Sequence, residues 1–97
     1  MKIKVGQIWE VTTGRFLTSG RNNKYHRPIV IGKGEKIEIR YPYEWHFRAE
    51  DNSYFHASEI MIFENCKLIG IITESVRFRN KATLEEIIRL DLYKKVK

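Results

Sequence analysis

Residues 36–50 read Lys36-Ile37-Glu38-Ile39-Arg40-Tyr41-Pro42-Tyr43-Glu44-Trp45-His46-Phe47-Arg48-Ala49-Glu50. Every odd position from 37 to 49 is apolar or aromatic, and every even position is charged, His or Pro. Successive side chains of a β-strand point to opposite faces, so this unbroken period of two predicts strand with one buried face. Pro42 cannot donate to a ladder and marks a bend or an edge. The stretch reads as one strongly bent strand, or as two that share a corner.

The return strand is Tyr54–Ala57, after a turn at Glu50-Asp51-Asn52-Ser53. A three-residue loop, Asp51–Ser53, pairs Glu50 with Tyr54, Arg48 with His56 and His46 with Ser58. It also sets Phe55 and Ala57 beside Phe47 and Ala49 on the core face. A slip of one residue would turn His56 into the core, so the apolar set decides the register.

Working outward, Ile3, Val5, Ile8, Trp9 and Val11 predict a first strand over 2–11, with a bulge or bend at Gly6. Pro28–Ile31 is a short buried strand, and Gly32-Lys33-Gly34-Glu35 reads as a hairpin turn. Ser58 caps a short helical turn running to Asn65. Lys67–Thr73 is an apolar strand containing Gly70, and Val76 and Phe78 mark a last short one. Thr83-Leu84-Glu85-Glu86 is a capping box. It opens a helix over 84–96, with Leu84, Ile87, Ile88 and Leu92 at helical spacing and Lys94, Lys95 and Lys97 at the negative end of its dipole.

A chain of 97 residues makes one domain, here 1–79 as the β part and 80–97 as the C-terminal helix. Hydrophobic residues at 42% and charged residues at 31% describe a globular chain rather than a disordered one. Cys66 is the only cysteine, which excludes an intrachain disulfide and a cysteine-based zinc site and fits a reducing cytoplasm. The charged N-terminus has no secretory apolar region, and no apolar run approaches a membrane span. No phosphate-loop or dinucleotide glycine pattern occurs, and the histidine spacing matches no zinc motif. No cofactor or metal is expected.

The net charge is +6, from 18 Lys and Arg against 12 Asp and Glu. Residues 1–48 hold the whole surplus, with ten basic and four acidic side chains; residues 49–97 hold eight of each. Within Thr12–Arg27 stand Arg15, Arg21, Lys24 and Arg27 and no acid, beside the turn-forming Gly14, Gly20 and Asn22-Asn23. An acid-free basic loop suits contact with phosphates, although such a run is also an ordinary solvated loop. The polar face of the central hairpin carries Arg40, Glu44, His46, Arg48, Tyr54 and His56. Arginine pairs phosphate and an aromatic ring stacks a base, so this face suits nucleic acid. As an ordinary solvated sheet face it would instead pair its arginines with Glu44 and Glu50. His46 and His56 also form a weak signal for general acid–base work.

Gly6-Gln7-Ile8-Trp9-Glu10-Val11 resembles the opening strand of small SH3-like barrels. Followed by His26-Arg27-Pro28-Ile29-Val30-Ile31, it is also similar to the start of the MazF/PemK-type endoribonuclease toxins. That resemblance covers about the first third of the chain. It implies an SH3-like barrel, Arg27 as the catalytic arginine and the basic loop over an RNA groove. Gln7 stands where that family has Asp. The family's second catalytic Ser or Thr would fall near Glu50–Ser53.

The expected fold is therefore a mainly β, small SH3-like barrel of five to six short strands with one C-terminal α-helix. An OB-like barrel is the alternative. The expected function is non-enzymatic binding of an anionic partner, RNA or DNA, through Arg15, Arg21, Lys24, Arg27, Arg40, His46, Arg48, Tyr54 and His56. The alternatives are a protein-interaction module, such as a small inhibitor or accessory subunit bound to an acidic protein surface, and a MazF-like endoribonuclease.

Overall fold

The alternating run forms two strands rather than one. In a computed structural model, which describes residues 3–20, 28–41, 46–50, 54–72 and 82–96, β4 (Lys36–Tyr41) and β5 (His46–Ala49) pair antiparallel. Ile37 lies opposite Ala49, Ile39 opposite Phe47 and Tyr41 opposite His46, with a register shift between Ile39 and Tyr41. Of the two forms expected, one bent strand or two that share a corner, the first is corrected here. From Ile37 to Ile39 odd residues pair with odd residues, so the apolar positions of the two strands share one face; beyond the shift Tyr41 meets the even-numbered His46.

The other strands are β1 (Gln7–Val11), β2 (Phe16–Gly20), β3 (Pro28–Ile31), β6 (Tyr54–His56), β7 (Cys66–Ile72) and β8 (Tyr93–Lys95). Two helices are described, α1 (Glu59–Asn65) and α2 (Leu84–Arg89). The protein is mainly β. Among the described residues eight strands form one sheet in the order β3-β2-β6-β5-β4-β1-β7-β8, and that sheet is not closed. The count therefore exceeds the five to six strands expected. The first strand begins at Gln7 because Gly6 takes φ +93°, and its N–H donates to the Ile39 carbonyl at 2.9 Å. Gly32–Glu35 is not a hairpin turn, since β3 and β4 are not neighbours in the sheet. It docks on β1 instead: Gly34 N–H donates to the Val11 carbonyl, and Val11 N–H to that of Glu35, both at 2.8 Å.

Residues 12–27 were read as a loop or hairpin tip, but Phe16–Gly20 within them is a strand with Phe16 and Thr18 buried. Phe16 brings its ring to 5.7 Å from that of Phe47, and Phe47 lies 6.0 Å from Phe55. These rings join Trp9, Val11, Ile37, Ile39 and Ile62 in the main core. The sheet therefore curls so that β2 and β1, far apart in strand order, share one interior. Helix α1, N-capped by Ser58 whose Oγ accepts from Met61 N–H at 3.2 Å, contacts both β2 and β7. Asn65 at its end accepts from Thr12 N–H at 2.7 Å through its carbonyl, tying the β1–β2 connection to the helix.

A second, smaller core lies on the opposite sheet face. Ile8 and Ile72 there meet Leu84 and Ile87 of α2. The N-cap half of the expected capping box is present: Thr83 Oγ1 accepts from Glu86 N–H, while Glu86 Oε1 accepts from the Thr83 hydroxyl rather than its backbone N–H, both at 3.1 Å. The helix stops at Arg89, however, well short of the expected residue 96. Asp91 adopts φ +53°, Leu92 N–H reaches back to the Ile87 carbonyl at 2.9 Å, and the chain leaves as β8. This is a Schellman-type stop, which satisfies carbonyls that an α-helical continuation would otherwise use. The expected strand at Val76–Phe78 lies outside the described residues.

Gly70 is where β8 rests on β7. A Cβ there would overlap the Tyr93 ring at Cδ2 and lie 3.0 Å from the Lys94 carbonyl oxygen. Gly70→Ala is expected to cost about 1–3 kcal/mol, as overpacking does. Amide hydrogen exchange should show protection lost at Tyr93–Lys95 before the rest of the sheet. Unchanged protection there would mean that the ring can move aside.

Candidate nucleic-acid interface

The two halves of the expected site, the basic loop and the hairpin face, meet through β2. Ser19 and Gly20 pair with His56 and Phe55 of β6, and Ser19 pairs on its other side with Pro28 of β3. Across β6, His56 lies opposite His46 and Tyr54 opposite Arg48. A single cross-strand rung thus runs Pro28, Ser19, His56, His46, Tyr41. At strand spacing, Pro28 and His46 are about 14 Å apart along it. Arg21 follows Gly20 and Arg27 precedes Pro28, so the basic segment leaves and re-enters the sheet beside this rung.

The hairpin register differs by two residues from the expected one, which set Arg48 against His56. The observed pairing puts Phe47 opposite Phe55, an aromatic cross-strand pair, and leaves Phe47, Ala49, Phe55 and Ala57 buried. A two-residue slip keeps every side chain on its face, which is why the sorting of faces survived the change.

The expected site residues do not share one environment. Arg21, Lys24 and Arg27 lie outside the described residues, and for His46 and Tyr54 only the strand position is described. His56 is half-buried on the rung. Arg15 is exposed, but stands at the far end of β2, about 13 Å of strand from Ser19. Arg40 and Arg48 are engaged within the fold.

Arg48 is 7% exposed, which corrects the expectation that it lies on a solvated face. Its Nε donates to Glu38 Oε1 at 2.9 Å, its Nη2 donates to the same oxygen, and its Nη1 donates to the Ala82 carbonyl at 3.0 Å. The other carboxylate oxygen of Glu38 accepts from Arg40 Nη1 at 3.3 Å. Glu38 is completely buried, while Arg40 keeps 27% of its side chain exposed. Ala82 and α2 lie over this part of the sheet face, so Arg48 holds the start of the C-terminal segment in place instead of facing solvent. Arg40 alone of the pair retains surface for a ligand.

Glu38 was not among the expected site residues. Its signal was present: an acid in the polar register, two positions from Arg40 and across the hairpin from Arg48. Gln7 is likewise structural, its Oε1 accepting from Lys4 N–H at 2.8 Å and Trp9 Nε1–H at 3.1 Å. Burial pushes the Cys66 thiol up to about 12, which leaves it a small core residue rather than a nucleophile. Partial burial also raises the Glu50 carboxyl above its ordinary value, opposed by the nearby Lys36 cation and reinforced by Glu35 and Glu85.

Among the described residues, no group of three or more His, Cys, Asp or Glu is placed to hold a metal ion, and no helix is long and apolar enough to cross a membrane. Compared with protein-family models, with curated proteins and with solved structures, the chain matches none.

Proposed function

We propose that this chain is a non-enzymatic module that binds nucleic acid through the basic segment Arg21–Arg27 and the neighbouring rung of β6, β5 and β4. The observation that carries this reading is the pairing of β2 with β6. It sets the Gly20 end of an acid-free segment, containing Arg21, Lys24 and Arg27, directly beside β6, with the Pro28 end one strand further out in the sheet that bears His46, Tyr54 and His56. Cations neutralise phosphates, and the aromatic and imidazole rings offer stacking surfaces. Arg40 adds a partly exposed guanidinium held by Glu38. Arg48 and Arg15 are left out of the contact set, the first by burial and the second by distance. We read the framework as a small SH3-like barrel. The interior that β1 and β2 share supports that reading.

Three engaged cations should give a log–log salt slope of about −2 to −3, at roughly 0.7–0.9 per phosphate contact. Fluorescence anisotropy with labelled single-stranded and duplex oligonucleotides at rising salt measures it. Substituting Arg21, Lys24 and Arg27 together by Ala is expected to weaken binding and flatten the slope while the thermal melt stays unchanged. Absence of binding by the wild type at low salt would overturn the proposal. Metal-independent cleavage of the RNA that Arg27→Ala abolishes would replace it with the MazF-like reading.

A further inference from the structure

We propose that β3 is a self-association edge, through which two copies of this chain pair β3 against β3 in antiparallel register. The inference is independent of nucleic-acid binding. It rests on the unequal treatment of the two edges of the sheet.

The edge at β8 is protected. It is three residues long and carries Lys94 and Lys95, both exposed, and short charged edges resist pairing with another chain. The edge at β3, four residues long with Pro28 at its first position, lacks the charges that guard β8. Pro28-Ile29-Val30-Ile31 contains no charge, and among the described residues it pairs only with β2. Val30 is 55% exposed and lies directly opposite Leu17, which is 51% exposed, so an apolar pair stands on the outer face beside that edge.

The occupant follows from the groups offered. In an antiparallel pair, alternate residues turn their N–H and C=O groups away from the partner strand. On an edge these call for another extended backbone, which a helix or a lipid surface does not supply. The side chains call for a strand that is uncharged and β-branched. β3 is itself such a strand, and a two-fold axis beside Ile29–Val30 makes the contact self-complementary. Charge selects the antiparallel arrangement. It sends the two basic segments that end at Arg27 to opposite ends of the joined strands, whereas a parallel pairing would set them side by side.

Sedimentation velocity of the full chain at rising concentration tests this. The expected result is a shift from one chain to two. Val30→Lys and Leu17→Lys should each hold the mass at one chain, with circular dichroism showing the fold retained. A second probe keeps the test decisive where a lysine variant fails to fold. Val30→Cys should give a disulfide-linked dimer under mild oxidation, while Val96→Cys, at a similarly exposed position on the other edge, should not. A single-chain mass at every concentration would overturn the proposal. So would a dimer undiminished in both folded lysine variants, or the absence of a covalent dimer with Val30→Cys.

Discussion

Glu38→Ala is expected to cost about 3–5 kcal/mol of folding stability, because it leaves the buried Arg48 guanidinium without its counter-charge. Glu38 is fully buried and Arg48 nearly so, which makes this pair unlike an exposed salt bridge of small worth. Both carboxylate oxygens are used, one by Arg48 and one by Arg40. The double substitution Glu38→Met with Arg48→Met is expected to recover most of the loss, since apolar replacement of a buried pair is often neutral or better. A remainder of about 1 kcal/mol should persist, because the Ala82 carbonyl loses its donor. Urea unfolding of the three proteins checks both values. Equal destabilisation by the single and double variants would show that the charge pair is not what holds this face.

Phe47→Ala is expected to cost about 3–5 kcal/mol, the range for emptying a buried aromatic site. Phe47 is completely buried at the centre of β5, with the Phe16 and Phe55 rings on either side. Collapse around the void would require β2 and β6 to move together, and the β2–β6 pairing at Ser19 and Gly20 resists that. His56→Ala, half-buried on the opposite face of the same hairpin, should cost about 1 kcal/mol or less. Thermal unfolding of the pair tests which face is interior. A larger loss from His56→Ala would mean that the faces are reversed.

Much of the local structure was legible in the chain. Ser58 and Thr83 stand at the starts of α1 and α2 because a capping side chain acts on amides only two or three residues away. The sorting of Phe47, Ala49, Phe55 and Ala57 to one face was legible too, since alternation reports the face directly. The candidate interface was legible only in pieces. The acid-free segment and the histidine-bearing hairpin could each be seen, but not that β2 would lie beside β6. Arg48 was misplaced for a related reason. Alternation says which face a residue occupies and does not say whether a later segment, here Ala82 and α2, will cover that face.

By itself the sequence determined the mainly β character, both helix starts, the apolar face of the central hairpin and the placing of the whole basic surplus in residues 1–48. All of these depend on residue type and on spacing along a few neighbours. Only the tertiary structure decided that the alternating run folds back between Tyr41 and His46, that the Phe47–Phe55 pairing rather than its two-residue slip is adopted, and that the C-terminal residues become an edge strand. Two registers with the same faces present the same pattern of apolar residues. What separates them is the free energy of particular contacts: ring against ring at Phe47, carboxylate against guanidinium at Glu38, and the Tyr93 ring against a glycine that has no Cβ to obstruct it.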